Sequence, residues 1–236
     1  MKLRRIAFLM LMLPGFLFAE IMLVSGAGYK KPLEEVAKLY EVKSGKKILR
    51  SYGNLQQIIE QAKRSGKVDL IFGDEKIIDK SPLKLESKQL IGQGRLVLVS
   101  TKGRDFKSLE DLMKVEKIAL PDTKKAIYGI AAQEFLKNAN LYEKLKDKLF
   151  IFSTVPQVSA YLLKGGVDVG FINISDYLAN QDKMGNMVII DEKFYTPIKI
   201  SIYKLTDSKN KEAKDFIGFL STKEAKEIFK KYGLYE

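Results

Sequence analysis

The chain has 236 residues, with 41 lysine and arginine residues against 29 aspartate and glutamate residues, and it contains no histidine, cysteine or tryptophan. Without cysteine or histidine it can form no disulfide, no thiolate or Ser-His-Asp catalytic site and no histidine-bearing zinc site. A composition of 46% hydrophobic and 30% charged residues is typical of a soluble globular protein, and the length suits one large domain or two lobes of about 100 residues each.

The N-terminal segment has the pattern of a secretory signal peptide. Three basic residues between positions 2 and 5 precede an uncharged apolar run that ends at Ala19. The run is shorter than the roughly 20 residues that a membrane-spanning helix needs, and Ala19 is a small residue suited to cleavage. We therefore expect residues 1–19 to be a signal peptide and the mature chain to be periplasmic. An uncleaved membrane anchor is the alternative.

From residue 21 onward, short apolar runs alternate with segments of helical periodicity. Leu33, Val36 and Tyr40, for example, fall on one face of a helix. In the first half, this pattern predicts strands at 21–24, 47–51, 68–72 and 95–100, with one helix ending at Gly45 and another between residues 55 and 66. The β-α-β-α-β order predicts a parallel sheet covered by helices on both faces.

The second half repeats the alternation. It predicts strands at 117–120, 149–152, 167–172, 187–190 and 198–203, and helices at 128–138, 141–146, 156–164 and 209–220. A last helix is expected to be capped near Ser221 or Thr222 and to run to Tyr232. The chain has no proline- or serine-rich linker, which favours two α/β lobes over separate domains.

The formal net charge of +12 raises the question of a nucleic-acid partner. Only six of the basic residues are arginine, the residue that dominates specific phosphate and base recognition. The lysines are mixed with acidic residues, as in residues 223–231, which is typical of a solvated helix face. We expect no nucleic-acid partner, although a weak attraction to anions is reasonable.

Four turns of small, neutral residues precede predicted helices: 25–29, 52–54, 126–129 and 153–155. In open α/β sheets, ligands bind beyond the carboxyl ends of the strands, where helices begin. Free backbone N–H groups and the positive end of the helix dipole favour an anion there. Small residues are also common in any strand–helix turn, and neither a P-loop nor a dinucleotide fingerprint is present.

Two aspartates, Asp69 and Asp168, occupy equivalent positions at the start of predicted strands, in the segments VDL and VDV. We interpret them as turn or cap residues rather than a catalytic carboxylate pair. No nucleophile–base pair is visible, so an enzyme that uses carboxylates or lysine is the weaker hypothesis.

The order of several segments resembles the molybdate/tungstate-binding periplasmic proteins that supply ATP-driven transporters. The matching segments span residues 21–235 and include PLEEVAKLYEVKSGKK, GNLQQIIEQAKRSGKVDLIFGDEK, GRLVLVSTKG, SLEDLMKVEKIALPDTKKAIYG, TVPQVSAYLLKGGVDVGFINISDY and SKNKEAKDFIGFLSTKEAKEIFKKYGL. The resemblance implies an α/β, two-lobed periplasmic-binding-protein fold with mixed, mostly parallel sheets and a cleft between the lobes. Lobe 1 would comprise residues 20–94 and 198–236, and lobe 2 residues 95–197.

The resemblance also implies where a ligand binds. The family's contacts map to Gly28, to Gly53 or Asn54, to Tyr128, to Val155 and to Asn173, with Ser25 and Tyr29 close by. The chain departs from the family at several of these positions. The family usually has serine in place of Gly28, paired serine or threonine in the second loop, a small residue in place of Tyr128 and tyrosine in place of Asn173.

These departures leave the ligand open. A small oxyanion such as molybdate or tungstate is the family default, held by these residues without a cation site or a cofactor. The implied partner is the membrane permease of an ABC transporter, and a monomer is expected. A different small anionic solute and an exported sensor module are the alternatives.

Overall fold

The computed structural model describes residues 20–235, so the predicted signal peptide at 1–19 lies outside the described residues. In that range the strands are β1 (Ile21–Gly26), β2 (Ile48–Gly53), β3 (Leu70–Asp74), β4 (Leu85–Gly94), β5 (Leu96–Ser100), β6 (Ile118–Pro121), β7 (Leu149–Phe152), β8 (Val169–Asn173), β9 (Met187–Ile189) and β10 (Ile198–Leu205). The helices are α1 (Lys30–Ser44), α2 (Leu55–Ser65), α3 (Glu75–Ile78), α4 (Ile127–Asn138), α5 (Tyr142–Leu145), α6 (Val155–Leu163), α7 (Ile174–Leu178), α8 (Glu212–Leu220) and α9 (Lys223–Lys231). None of the helices formed by residues 20–235 is long and apolar enough to cross a membrane.

The strands form two five-stranded sheets with the same layout. The first sheet has the order β2-β1-β3-β10-β4 and the second has the order β7-β6-β8-β5-β9. The sheets are mixed, as predicted, but half of the strand pairs are parallel rather than most of them. All the antiparallel pairs involve β5 or β10, and each of these strands follows directly after the chain has crossed from one sheet to the other.

The helices bury the faces that their periodicity predicts. Leu33, Val36 and Tyr40 of α1 are all buried, and α1 ends at Gly45, whose φ of 71° is in the left-handed region that glycine tolerates. The predicted cap of the last helix is Thr222, whose hydroxyl accepts a hydrogen bond from the Ala225 N–H at 3.3 Å. Local sequence therefore determines these boundaries.

Strand β4 is the strand that the sequence pattern missed, and the short helices α3 and α7 were not predicted either. Its ten residues, LESKQLIGQG, have no continuous apolar run, and most of them are partly or fully exposed. β4 lies at the edge of the first sheet, and among the strands of the described chain its partner is β10. An edge strand with one solvated face lacks the buried pattern by which inner strands are recognised.

The chain crosses between the sheets at two adjacent places, after β4 and before β10. The crossings are joined by a hydrogen bond from the Leu96 N–H to the Tyr195 hydroxyl, at 3.2 Å. At the first crossing, a Cβ atom on Gly94 would lie only 2.9 Å from the Tyr29 hydroxyl and from the Ile198 side chain. This close approach requires glycine.

Asp69 and Asp168 have equivalent structural roles in the two sheets, which confirms their interpretation as cap residues. The Asp69 carboxylate accepts a hydrogen bond from the Met22 N–H at 2.8 Å. The Asp168 carboxylate accepts bonds from the N–H groups of Glu116 and Lys117 at 2.7 and 2.9 Å. Each carboxylate thus ties the start of one parallel strand to its neighbour.

Candidate ligand-binding site

Three helices, one from the first sheet and two from the second, begin at the same place between the sheets. α2 follows β2, α4 follows β6 and α6 follows β7, so each starts beyond the carboxyl end of a parallel strand. Their first turns, together with the turn after β1, enclose a cavity of about 20 Å³. It is lined by Gly26, Ala27, Gly28, Tyr29, Gly53, Asn54, Leu55, Ala126, Ile127, Tyr128, Thr154 and Val155.

The lining of this cavity, which we call the helix-end cavity, contains no charged side chain. The first residues of the three helices are Leu55, Ile127 and Val155, and the N–H group of a first helical residue has no partner within its own helix. The positive ends of three helix dipoles point to the same space. Neutral donors fixed in this way can hold an anion without a buried counter-charge.

Asn54 organises the beginning of α2. Its side-chain oxygen accepts a hydrogen bond from the Gln57 N–H at 3.0 Å, and the Gln57 side chain accepts one from the Asn54 N–H at 3.1 Å. This reciprocal capping box uses the amide oxygen of Asn54. Only its NH₂ group therefore remains for a ligand.

Two tyrosines occupy the centre of the site. The hydroxyl of Tyr29, beside the first sheet, forms a hydrogen bond with the hydroxyl of Tyr128 on α4, and both side chains are buried. Burial raises the pKa of both phenols above the ordinary value, so both hydroxyls stay neutral and able to donate. With the pair in place, the space left matches about one water molecule and is too small for a tetrahedral oxyanion.

Asn173 and Ser25 lie next to the cavity rather than in its lining. The Asn173 NH₂ group donates to the Gly28 carbonyl at 3.0 Å, and its buried Oδ1 atom has no hydrogen-bond partner among residues 20–235. A Cβ atom on Gly28 would lie 2.7 Å from that oxygen. Asn173 can therefore occupy this position only because residue 28 has no side chain. The hydroxyl of the fully buried Ser25 donates to the adjacent Gly26 carbonyl at 3.1 Å.

The structure therefore brings six of the eight predicted residues into one lining: Gly28, Tyr29, Gly53, Asn54, Tyr128 and Val155. Ser25 and Asn173 lie outside this lining, with the Ser25 hydroxyl and the Asn173 NH₂ group bonded to neighbouring backbone carbonyls. Their role as ligand contacts stays a prediction. The residues missed are Leu55 and Ile127, whose N–H groups begin helices. Their apolar side chains conceal this role, and only the helix boundary indicates it.

Comparison with known proteins identifies the family. The family model described as bacterial extracellular solute-binding protein matches residues 21–235. The chain belongs to this family. It is accordingly a solute-binding protein rather than an enzyme, which confirms the prediction from the absence of a nucleophile–base pair.

Individual relatives span nearly the same length. An ABC transporter substrate-binding lipoprotein of Bacillus subtilis, YvgL, is 31% identical over 222 residues, covering 89% of this chain and 84% of the relative. The molybdate-binding protein ModA of Rhodobacter capsulatus is 26% identical, covering 91% and 87%. The solved structure of the Azotobacter vinelandii periplasmic molybdate-binding protein superposes with a TM-score of 0.83 at 23% identity, covering 92% and 99%. This likeness confirms the predicted two-lobed α/β fold.

Proposed function

We propose that this solute-binding protein binds a small oxyanion of the molybdate class in the helix-end cavity. The convergence of the first turns of α2, α4 and α6 on one uncharged cavity supports the proposal most directly. Backbone N–H groups at helix ends bind tetrahedral anions in general. The names of the relatives from Rhodobacter and Azotobacter point to the same ligand class.

Binding requires the two lobes to separate. With about 20 Å³ available, the anion enters only when the hydrogen bond between Tyr29 and Tyr128 breaks. The two hydroxyls then become donors to the anion, in addition to the helix N–H groups. Since Tyr29 belongs to one lobe and Tyr128 to the other, closure around the anion brings both donors in at once.

The proposed cellular role follows from the family and the N-terminal sequence. Residues 1–19 would direct export to the periplasm, and the mature monomer would deliver its anion to the membrane permease of an ABC transporter. The proposed lobes are residues 20–94 with 198–236, and residues 95–197. An exported sensor using the same cleft is the alternative, and transport of labelled molybdate by cells lacking the gene would distinguish the two.

The binding test is a titration of residues 20–236 with molybdate, tungstate, sulfate and phosphate by calorimetry and thermal shift. A ligand that binds only the folded chain raises the melting temperature, and at 100 times Kd it adds about 2.7 kcal/mol. We expect molybdate or tungstate to do so. If no anion in this set binds, the proposed function is wrong.

A proline substitution tests the donor groups. Val155→Pro removes one N–H donor at the first position of α6, where proline is tolerated. Losing one hydrogen bond to a charged group costs about 1.5–3 kcal/mol, so we expect affinity to fall at least about ten-fold. Lys223→Pro makes the same change at the first position of α9, outside the cavity, and should leave affinity unchanged. Equal affinities for both variants would exclude the Val155 N–H as a ligand contact.

A further inference from the structure

A second and larger cavity lies between the sheets beside the helix-end cavity. Its volume is about 400 Å³, within the range of small-molecule sites. The side chain of Ile127 at the start of α4 lines both cavities. Walls from α2, α3 and α4 close the larger one, and the second crossing, residues 196–198, completes it. We call it the crossing cavity.

The walls of the crossing cavity are mainly apolar. Five isoleucines line it, at positions 59, 77, 127, 130 and 198, together with two prolines and Ala131. Such a surface suits a hydrocarbon body rather than a bare, strongly hydrated inorganic ion. The cavity therefore differs in chemistry from its neighbour.

One polar group in this cavity is buried and unmatched in charge. Asp74 caps α3, and its Oδ1 atom accepts a hydrogen bond from the Ile77 N–H at 3.0 Å. Among the described residues, no lysine or arginine forms a salt bridge with it, although its side chain is almost fully buried. Lys76 of the same lining acts on this carboxylate electrostatically without forming a salt bridge. A buried carboxylate that lacks a direct ion pair favours a ligand that supplies one.

The other charged residues of the lining do not remove the preference of the cavity for a cationic ligand. Glu134 accepts hydrogen bonds from the N–H and hydroxyl of Thr196 at 2.6 and 3.3 Å, and Lys76 donates to the same hydroxyl at 3.2 Å. With Glu60 and Lys80, the lining has three carboxylates and two lysines, a formal charge of −1. A cationic group is therefore favoured over an anionic one.

We propose that the crossing cavity is a second binding site, which takes a small apolar molecule carrying an ammonium group, with the hydrocarbon against the isoleucines and the ammonium on Asp74. This site is separate from the oxyanion site and goes beyond the function proposed above. Because its walls come from both lobes and the crossing, an occupant stabilises the closed arrangement. Through that shared closure, the occupant is coupled to the oxyanion site.

The probes for this site are phenethylamine, its neutral analogue 2-phenylethanol and the anionic analogue 3-phenylpropionate, titrated into the mature chain by calorimetry. We expect phenethylamine to bind at least ten-fold more tightly than either analogue. Asp74→Asn keeps a good helix cap and removes the charge, so it should abolish that preference. Ile130→Trp should fill the cavity and prevent binding, whereas Ile189→Trp on the exposed edge strand β9 serves as the matched control.

The outcomes separate the two sites. The crossing cavity is supported as an ammonium site if the chain prefers the amine and this preference is lost in Asp74→Asn and Ile130→Trp. The preference must also be kept in Ile189→Trp. Three results would overturn the proposal of an ammonium site: equal binding of all three probes, binding that survives both cavity substitutions, or no binding of phenethylamine. The last is tested at 10-fold molar excess in the millimolar range, which is on the order of the Kd of the weakest specific ligands. Molybdate titration of the same variants reports on the oxyanion site independently, and unfolding curves show that each variant is folded.

Discussion

The two cavities between the lobes share the side chain of Ile127 and differ in nearly every other respect. The helix-end cavity is small and uncharged, and its chemistry comes from backbone N–H groups and two tyrosine hydroxyls. The crossing cavity is about twenty times larger, and its chemistry comes from isoleucine side chains and a buried carboxylate. In our proposals, one cleft would thus offer two kinds of recognition: fixed donors for an anion, and an apolar wall with a buried carboxylate for an organic cation.

The two cavities differ in volume because the lobes approach each other more closely at the helix-end cavity than at the crossing cavity. At the helix-end cavity, the Tyr29 and Tyr128 hydroxyls bond to each other, and the space around Gly94 has no room for a Cβ atom beside them. The cavity left there is only about 20 Å³. At the crossing cavity, hydrogen bonds from Lys76 to Thr196 and from Thr196 to Glu134 link α3 to α4 across the lining. Substitutions at these contacts show which of them holds the closed arrangement.

Gly94→Ala should have the largest effect on stability. The added methyl group would lie 2.9 Å from the Tyr29 hydroxyl and the Ile198 side chain, and closer still to the Tyr128 hydroxyl. Overpacking of this kind costs about 1–3 kcal/mol, and we expect the melting temperature to fall by several degrees. Chemical denaturation measures the free energy of unfolding.

The matched control is Gly218→Ala in α8, where a Cβ atom would meet no heavy atom within 4 Å. Alanine there should stabilise the helix by about 0.5–1 kcal/mol. If both alanine variants behaved alike, the close approach at Gly94 would not be a real constraint on the closed arrangement.

Asp74→Asn should stabilise the protein at neutral pH. Burial raises the pKa of the Asp74 carboxyl from its ordinary value to about 6. The folded chain therefore binds the proton more tightly than the unfolded chain, and stability falls as pH rises between about 4 and 6. Removing the charge should increase the free energy of unfolding at pH 7.5 by about 1–2 kcal/mol.

The pH dependence distinguishes this cause from a general packing effect. Unfolding curves at pH 4 and pH 7.5 should show a gain for Asp74→Asn only at the higher pH. The charged and titratable groups that interact with Asp74 or are influenced by it are Lys76, Glu75, Tyr203 and the two tyrosines of the neighbouring cavity. They are identical in both proteins. A gain of the same size at both pH values would contradict the account.

The tyrosine pair should show coupling in a double-mutant cycle. Tyr29→Phe or Tyr128→Phe alone leaves one buried hydroxyl without its partner, at a cost of about 1 kcal/mol or slightly more. The double phenylalanine variant removes both hydroxyls and should be less destabilised than the sum of the two single variants. Additive losses would mean that the hydroxyls do not depend on each other in the closed arrangement.

The sequence predicts the helix-end cavity better than the crossing cavity, for a physical reason. The small-residue turns at 25–29, 52–54, 126–129 and 153–155 are local signals, and parallel strands necessarily bring their carboxyl ends to one edge of a sheet. Backbone donors need no particular side chain. The location of the donors is therefore predictable even though Gly28 and Asn173 depart from the residues usual in the resembled family. The pairing of Tyr29 with Tyr128, 99 positions apart, depends on lobe closure and has no local signal.

The crossing cavity has no signal in the sequence at all. Its isoleucines occur in segments with ordinary helical or strand periodicity, and Asp74 has the pattern of a helix cap, a role that it also fulfils. The free volume arises because α2, α3 and α4 meet around the crossing without filling the space. Strand β4 escaped prediction for a related reason, since its identity depends on pairing with β10 rather than on its own residues.

We propose that helix ends, rather than surface lysines, bind the anion. The most direct test is a crystal structure of residues 20–236 with tungstate, located by its anomalous scattering. We expect tungsten in the helix-end cavity, with oxygen atoms about 2.7–3.2 Å from the N–H groups of Leu55, Ile127 and Val155. The hydroxyls of Tyr29 and Tyr128 should then be apart. Tungsten at surface lysines alone, or in the crossing cavity, would contradict it.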